Sequence, residues 1–239
     1  MVTVSDHLMR MLTTVAEALG KDLRERLVFV GGCTTALFIT DTVTLEDVRA
    51  TDDVDLIIDL AGYAQWVDLQ TTLREKGFSE HPEDDVTCRM RLGELKVDFM
   101  PDDASILGFS NRWYSKGIES AQDQQLSDDL TIKKLTPELF VATKLEAFLG
   151  RGENDLYASR DMEDILLIVD GREALLAELL ASETEIRDYV AEQFRTLLEH
   201  PDFSEFIEGN MRGPEGRVDM VLERFEKISQ CDGGDKLGV

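Results

Sequence analysis

Two aspartates one residue apart, Asp53 and Asp55 in RATDDVDLIID, stand at the head of a segment whose Leu56, Ile57 and Ile58 belong in a core. Alternate residues of a strand share a face, roughly 6.5–7 Å apart along the chain. The two carboxylates therefore project together, while Asp52 and Val54 face the other way and Asp52 is dispensable. Like charges this close push one acid towards protonation unless a cation lies between them. A divalent ion resolves that conflict, and oxygen ligands without Cys or His suit Mg2+ or Mn2+. Asp98, in LKVDFM between Val97 and Phe99, offers a third carboxylate from another strand. Asp53, Asp55 and Asp98 together make a candidate three-carboxylate site for two metal ions.

The stretch VFVGGCTTALF lies some twenty residues upstream and meets a complementary need. Gly31 and Gly32 let the backbone come close to a ligand, and the turn of helix behind them offers N–H groups to an anion. Thr34 and Thr35 add hydroxyl donors. Phosphate at a glycine turn, bridged by metal to aspartates, is the layout that phosphoryl or nucleotidyl transfer requires. Each part alone has an ordinary explanation: a solvated acid pair, a tight turn, a snorkelling lysine. Their combination, in this order, favours the site.

The elements that must position these groups are legible from spacing. Leu8, Met11, Leu12, Val15 and Leu19 recur at helical intervals, with Ser5 as N-cap and Gly20 as stop. RLVFVGG reads as a strand entering the glycine turn, and CTTALFI as a short helix. VDLIIDL is a second strand, YAQWVDLQTTLREKG an amphipathic helix, and VTCRMRLG with ELKVDFMP a hairpin turning near Gly93–Glu94. LTIKKL is a further strand, and Pro137 opens the helix PELFVATKLEAFLGR. In that helix Val141, Leu145, Phe148 and Leu149 make an apolar stripe that leaves Lys144 and Arg151 off it. Helical patterns then follow in SRDMEDILLIVDG, in EALLAELLASETEIRDYVAEQFRTLLEH read as one helix, and in RVDMVLERFEKIS; the tail CDGGDKLGV reads as frayed. The expectation is an α/β (α+β) fold: a small mixed sheet with helices packed on it over residues 1–135, and a helical C-terminal region over 136–239.

VGGCTTALF, RATDDVDLIID and LKVDFM, in that order, resemble the glycine-turn and paired-aspartate signature of the DNA polymerase β-like nucleotidyltransferase superfamily. TIKKLTPELFVATKLEAFLGRGENDLYASRDMEDI further resembles the AbiEii/MenT-type nucleotidyltransferase toxins, and the likeness covers roughly residues 25–170. Cys33-Thr34 departs from the usual small residue and Ser or Thr, and Arg160 replaces the usual Lys before Asp161. The resemblance implies that Asp53 and Asp55 hold Mg2+ or Mn2+, with Asp98 as third ligand and base for an attacking hydroxyl. It places Gly31, Gly32 and Thr34 at the triphosphate of an incoming NTP, Lys144 at the phosphates and Asp161 at the nucleotide end of the pocket. Arg49 and Thr51 steady the site or touch substrate. The implied activity is transfer of NMP from an NTP to an acceptor hydroxyl on a tRNA 3′ end or a protein, by a toxin of a toxin–antitoxin or phage-defence system with a cognate antitoxin as partner. Nucleotidylation of an aminoglycoside-like small molecule, and an inactive binding module of the same fold, are the alternatives.

Composition narrows the field. The net charge of −24, from 25 basic and 49 acidic residues, opposes a general nucleic-acid binder. A local basic patch remains conceivable among Arg89, Arg91, Lys96, Lys133, Lys134, Lys144, Arg151 and Arg160. Three scattered cysteines and three isolated histidines give neither a disulfide framework nor a zinc site, which fits a reducing, cytoplasmic setting. The apolar runs are too short for a membrane span, and the N-terminus lacks a signal-peptide pattern.

Overall fold

In the computed structural model, which describes residues 3–151 and 155–232, the chain divides into two compact units. One comprises the chain up to Leu37 with Val48–Thr136; the other joins Phe38–Asp47 to the chain from Pro137 on. The excursion of Phe38–Asp47 into the helical unit is a feature that a single expected boundary at 135/136 did not contain. The frayed-tail expectation falls, from residue 233 on, outside the described residues.

In the first unit, helix α1 (Val4–Arg24) buries Leu8, Met11, Leu12, Val15, Ala16, Leu19 and Leu23 along one face. Its N-cap is Thr3, not Ser5: Thr3 Oγ1 accepts from the Asp6 amide while the Asp6 carboxylate accepts from the Thr3 amide. This reciprocal pair satisfies two donors of the first turn, which a cap at Ser5 would not. Gly20 kinks the helix at φ 68° instead of ending it. Strand β1 (Val28–Val30) is wholly buried and runs into a six-residue 3-10 turn, Gly32–Leu37. Helix α2 (Thr42–Glu46), capped by Asp41, lies in the excursion to the other unit. Strand β2 (Asp53–Ile58) follows, then helix α3 (Tyr63–Glu75), strands β3 (Arg89–Leu92) and β4 (Leu95–Pro101), and the short helices α4 (Ala104–Leu107) and α5 (Tyr114–Glu119). Strands β5 (Gln122–Ser127) and β6 (Leu130–Lys134) close the unit.

The six strands form one mixed sheet in the order β3-β4-β2-β1-β6-β5. β2 runs parallel to β4 and antiparallel to β1, while β1 and β6 are parallel. The expected fold class, a mixed sheet with helices packed on it and a helical C-terminal part, is the one observed. β5 was not foreseen because QDQQLS carries no apolar alternation; it is an exposed edge strand held by pairing with β6.

The second unit contains helices α6 (Pro137–Arg151), α7 (Arg160–Gly171), α8 (Leu175–Ala181), α9 (Thr184–Leu198), α10 (Phe203–Asn210) and α11 (Arg217–Ser229). A single helix expected over 173–200 is broken at Ser182, whose ψ of 171° is extended. Phe194 and Phe225 stack at 4.7 Å between ring centroids, with Phe203 edge-on to Phe225 at 5.0 Å. α2 is clasped within this unit. Arg217 forks onto Asp170 through Nε at 2.9 Å and Nη2 at 2.6 Å, and Thr44 donates to Asp170 at 2.8 Å. The amides of Thr40 and Asp41 both donate to Gly171 O.

The Arg217 and Asp170 side chains are 9% and 6% exposed, so removing one partner leaves a buried charge uncompensated. Arg217→Met should lower the unfolding free energy by about 3–5 kcal/mol, read as a lower urea midpoint. Arg217→Lys should recover only part of it, because an ammonium cannot reproduce the two-pronged fork.

Candidate metal centre

Residue pairing across the sheet brings the three aspartates together. Asp55 lies opposite Asp98 in the parallel β2–β4 ladder, and Asp53 shares Asp55's face two residues earlier. On the other side of β2, Asp55 pairs with Val30, the residue before the glycine turn. The carboxylates of Asp53, Asp55 and Asp98 offer oxygens that all lie within 4.8 Å of one another. Strand pairing accounts for the Asp55–Asp98 approach, since neighbouring strands are roughly 4.8 Å apart and in-register side chains on one face must meet.

Gly31 is fitted to Asp55. Its φ is +73°, and a Cβ there would sit 1.8 Å from Asp55 Oδ2. The close approach that the glycine permits is thus first of all by the Asp55 carboxylate. Gly32 and Thr34 are buried in the 3-10 turn that replaces the expected short helix. The Thr34 hydroxyl donates to Gly31 O at 2.9 Å, and its amide donates to the same oxygen at 3.2 Å, so both close the turn. Thr51 donates a hydrogen bond to Asp53, and half-buried Arg49 lies in the lead-in to β2. Asp52 precedes the strand, is 70% exposed and pairs with Lys96 at 2.8 Å.

A cation already sits on the triad. Arg89, on β3 opposite Asp98, donates from Nε to Oδ1 at 2.7 Å and from Nη2 to Oδ2 at 2.8 Å, and its Nη2 lies 3.7 Å from Asp53. Its hydrogen bonds to Asp98 raise the Arg89 pKa further above its usual value. Sequence reasoning counted Arg89 only among the basic residues. Counting back from the Gly93–Glu94 turn, where Leu92 pairs with Leu95, would have set Arg89 against Asp98. Neighbouring Cys88 reports the remaining field: burial, then the charges of Asp98 and Asp55, push its thiol up to about 12.

Lys144 and Asp161 meet within the helical unit. Lys144, off the expected apolar stripe, is nonetheless buried, whereas Leu149 of that stripe is 47% exposed. Its ammonium donates to Asp164 at 2.6 Å and to Asp161 at 3.0 Å, and Arg151 reaches Asp161 at 3.1 Å. Burial alone would lower the Lys144 pKa, but Asp164 and Asp161 outweigh it and the pKa is raised. Asp164 is the more deeply buried partner, its side chain 1% exposed against 14% for Asp161. Of the basic residues considered for a patch, Arg89, Arg91, Lys96, Lys144 and Arg151 are engaged in ion pairs.

The site is therefore a carboxylate triad on a mixed sheet beside a glycine turn. No protein-family model matches the chain, and no curated protein matches it. Among solved structures, the crystal structure of JHP933 from Helicobacter pylori is similar, with a TM-score of 0.49 and 10% sequence identity over 94% of this chain and 91% of that one. No helix among the described residues is long and apolar enough to cross a membrane.

The glycine–carboxylate contact is testable by a double-mutant cycle. Gly31→Ala should cost about 3 kcal/mol, from a left-handed backbone worth roughly 1–2 kcal/mol and the clash with Asp55. In an Asp55→Ala background the same change should cost only about 1–2 kcal/mol, as measured by chemical unfolding.

Proposed function

We propose that this chain is a metal-dependent nucleotidyltransferase that moves NMP from an NTP to an acceptor hydroxyl with release of pyrophosphate. The observation that carries the reading is the in-register placement of Asp55 against Asp98, with Asp53 beside them and the Gly31–Gly32 turn at the end of the adjoining strand. Three carboxylates with no Cys or His among them form a hard oxygen donor set suited to Mg2+ or Mn2+. The guanidinium seated among them supports the fit, since it marks a place where positive charge is favoured. Bound there, a divalent ion would supply charge neutralisation at the transferring phosphoryl group and activation of the attacking oxygen.

The protein's own groups have separable parts in this scheme. Asp53 and Asp55 hold the metal-binding face, oriented by the Thr51 hydroxyl and by the Gly31 backbone respectively. Asp98 completes the cage and takes the acceptor proton once Arg89 no longer occupies both of its oxygens. The acceptor oxygen forms its bond to the α-phosphorus as the bond to the pyrophosphate oxygen breaks. Gly31, Gly32 and Thr34 shape the turn for the triphosphate and Arg49 steadies the lead-in to β2, while the motif resemblance is what assigns Lys144 and Asp161 to the nucleotide. The motif resemblance supports a toxin of a toxin–antitoxin or phage-defence pair acting in the cytoplasm on tRNA 3′ ends or on protein, with a cognate antitoxin as partner. The net charge of −24 favours testing a cationic, aminoglycoside-like acceptor beside these.

Purified protein incubated with each α-labelled NTP, Mg2+ and total tRNA, lysate protein or aminoglycosides should place label in one pool. Asp52→Ala should retain that labelling within about threefold, because Asp52 is an exposed partner of Lys96. Asp55→Ala should abolish it. No transfer to any pool together with no NTP binding would sink the enzymatic reading.

A further inference from the structure

We propose that Arg89 is a built-in counter-cation of the carboxylate triad that competes with the divalent ion for Asp98, so that metal binds tightly only when the guanidinium lets go. This rests on the reading of the triad as a metal centre, and deepens it by naming what controls its occupancy.

The geometry carries the competition. Both oxygens of Asp98 accept from Arg89, one from Nε at 2.7 Å and one from Nη2 at 2.8 Å, which is the two-pronged fork that fits a carboxylate best. The same Nη2 is 3.7 Å from Asp53, so the guanidinium bridges two of the three acids. A hard divalent ion on these oxygens would sit about 2.0–2.1 Å from them. It would then lie within about 5 Å of the guanidinium, with like charges opposed in a partly dry site. The charge count points the same way: three carboxylates against one guanidinium leave −2, enough for one divalent ion, and the full −3 that favours a second appears only after Arg89 withdraws.

The neighbouring cations are committed elsewhere. Arg91, two residues along the same strand, forks onto Asp84 at 2.7 and 2.8 Å, and Lys96 is paired with Asp52 at 2.8 Å. Arg89 stands on β3, the edge strand of the sheet, and its side chain keeps 16% of its surface exposed. When the ion is absent, Arg89 offsets the mutual repulsion of the aspartates. When the ion binds, the released guanidinium is a mobile cation beside the site where a triphosphate would arrive.

Mn2+ titration followed by the electron paramagnetic resonance of the free ion tests this without any activity measurement. Arg89→Gln should bind Mn2+ about tenfold more tightly than the native protein or better. Arg89→Lys, which keeps the charge but not the fork, should gain about threefold. Asp55→Ala should lose the site in either background. Arg89→Gln binding at native affinity or weaker, with the Asp55-dependent site intact, would overturn the competition and make Arg89 a positioning residue for Asp98. Loss of Asp55-dependent binding from the native protein and the Arg89 variants alike would instead overturn the metal reading itself. If circular dichroism shows Arg89→Gln unfolded, Arg89→Lys decides alone, and affinity at or below native overturns the proposal.

Discussion

Three carboxylates whose oxygens lie within 4.8 Å of one another repel, and much of the first unit's local structure answers that repulsion. Parallel pairing of β2 with β4 forces Asp55 and Asp98 onto one face at strand spacing, so the sheet itself creates the unfavourable charge density. Nothing in the backbone can spread these groups apart without breaking the ladder. The compensation comes from side chains: Arg89 forks onto Asp98, and Thr51 donates to Asp53. Gly31, with no Cβ, lets the Asp55 carboxylate lie against the turn. A protein that only needed a stable sheet would have no use for this arrangement. Apolar residues at the same three positions would pack the face without any counter-charge.

Much of this was legible in the sequence because it depends on short-range periodicity. The i, i+2 rule put Asp53 and Asp55 on one face, and the apolar flanks of Asp98 put it on a strand. The Gly93–Glu94 turn then fixed the hairpin. What was not legible depends on partners distant in the chain. No local pattern in QDQQLS announces a strand, since its stability comes from β6. Ser5 lost the cap to Thr3 because the reciprocal bond to Asp6 satisfies two amides at once. Ser182 breaks a run of good helix formers with no Gly or Pro to mark it. The excursion of Phe38–Asp47 to the helical unit is dictated by Thr44, Asp170, Gly171 and Arg217, up to 173 residues apart in the chain.

The helical unit repeats the theme with opposite sign. There the costly group is a cation, Lys144, buried although it lies off the apolar stripe expected for its helix. Asp164 and Asp161 offset its desolvation and hold it protonated. With Arg151 as a second donor to Asp161, the cluster has the form of an ordered charge network joining α6 to α7. A helical wheel could not show this, because the wheel sorts residues by polarity, whereas a paired lysine can occupy the buried side. The same sorting misplaced Leu149, which is the exposed member of the stripe.

The central claim is that Asp53, Asp55 and Asp98 form one metal cage. Crystals soaked in Mn2+ with a non-hydrolysable NTP, and measured at the manganese absorption edge, test it most directly. The account predicts an anomalous peak bonded to oxygens of all three aspartates, with Arg89 drawn off Asp98. Crystals that diffract with the nucleotide bound, carry no anomalous peak at the triad and keep the Arg89–Asp98 fork closed would contradict it.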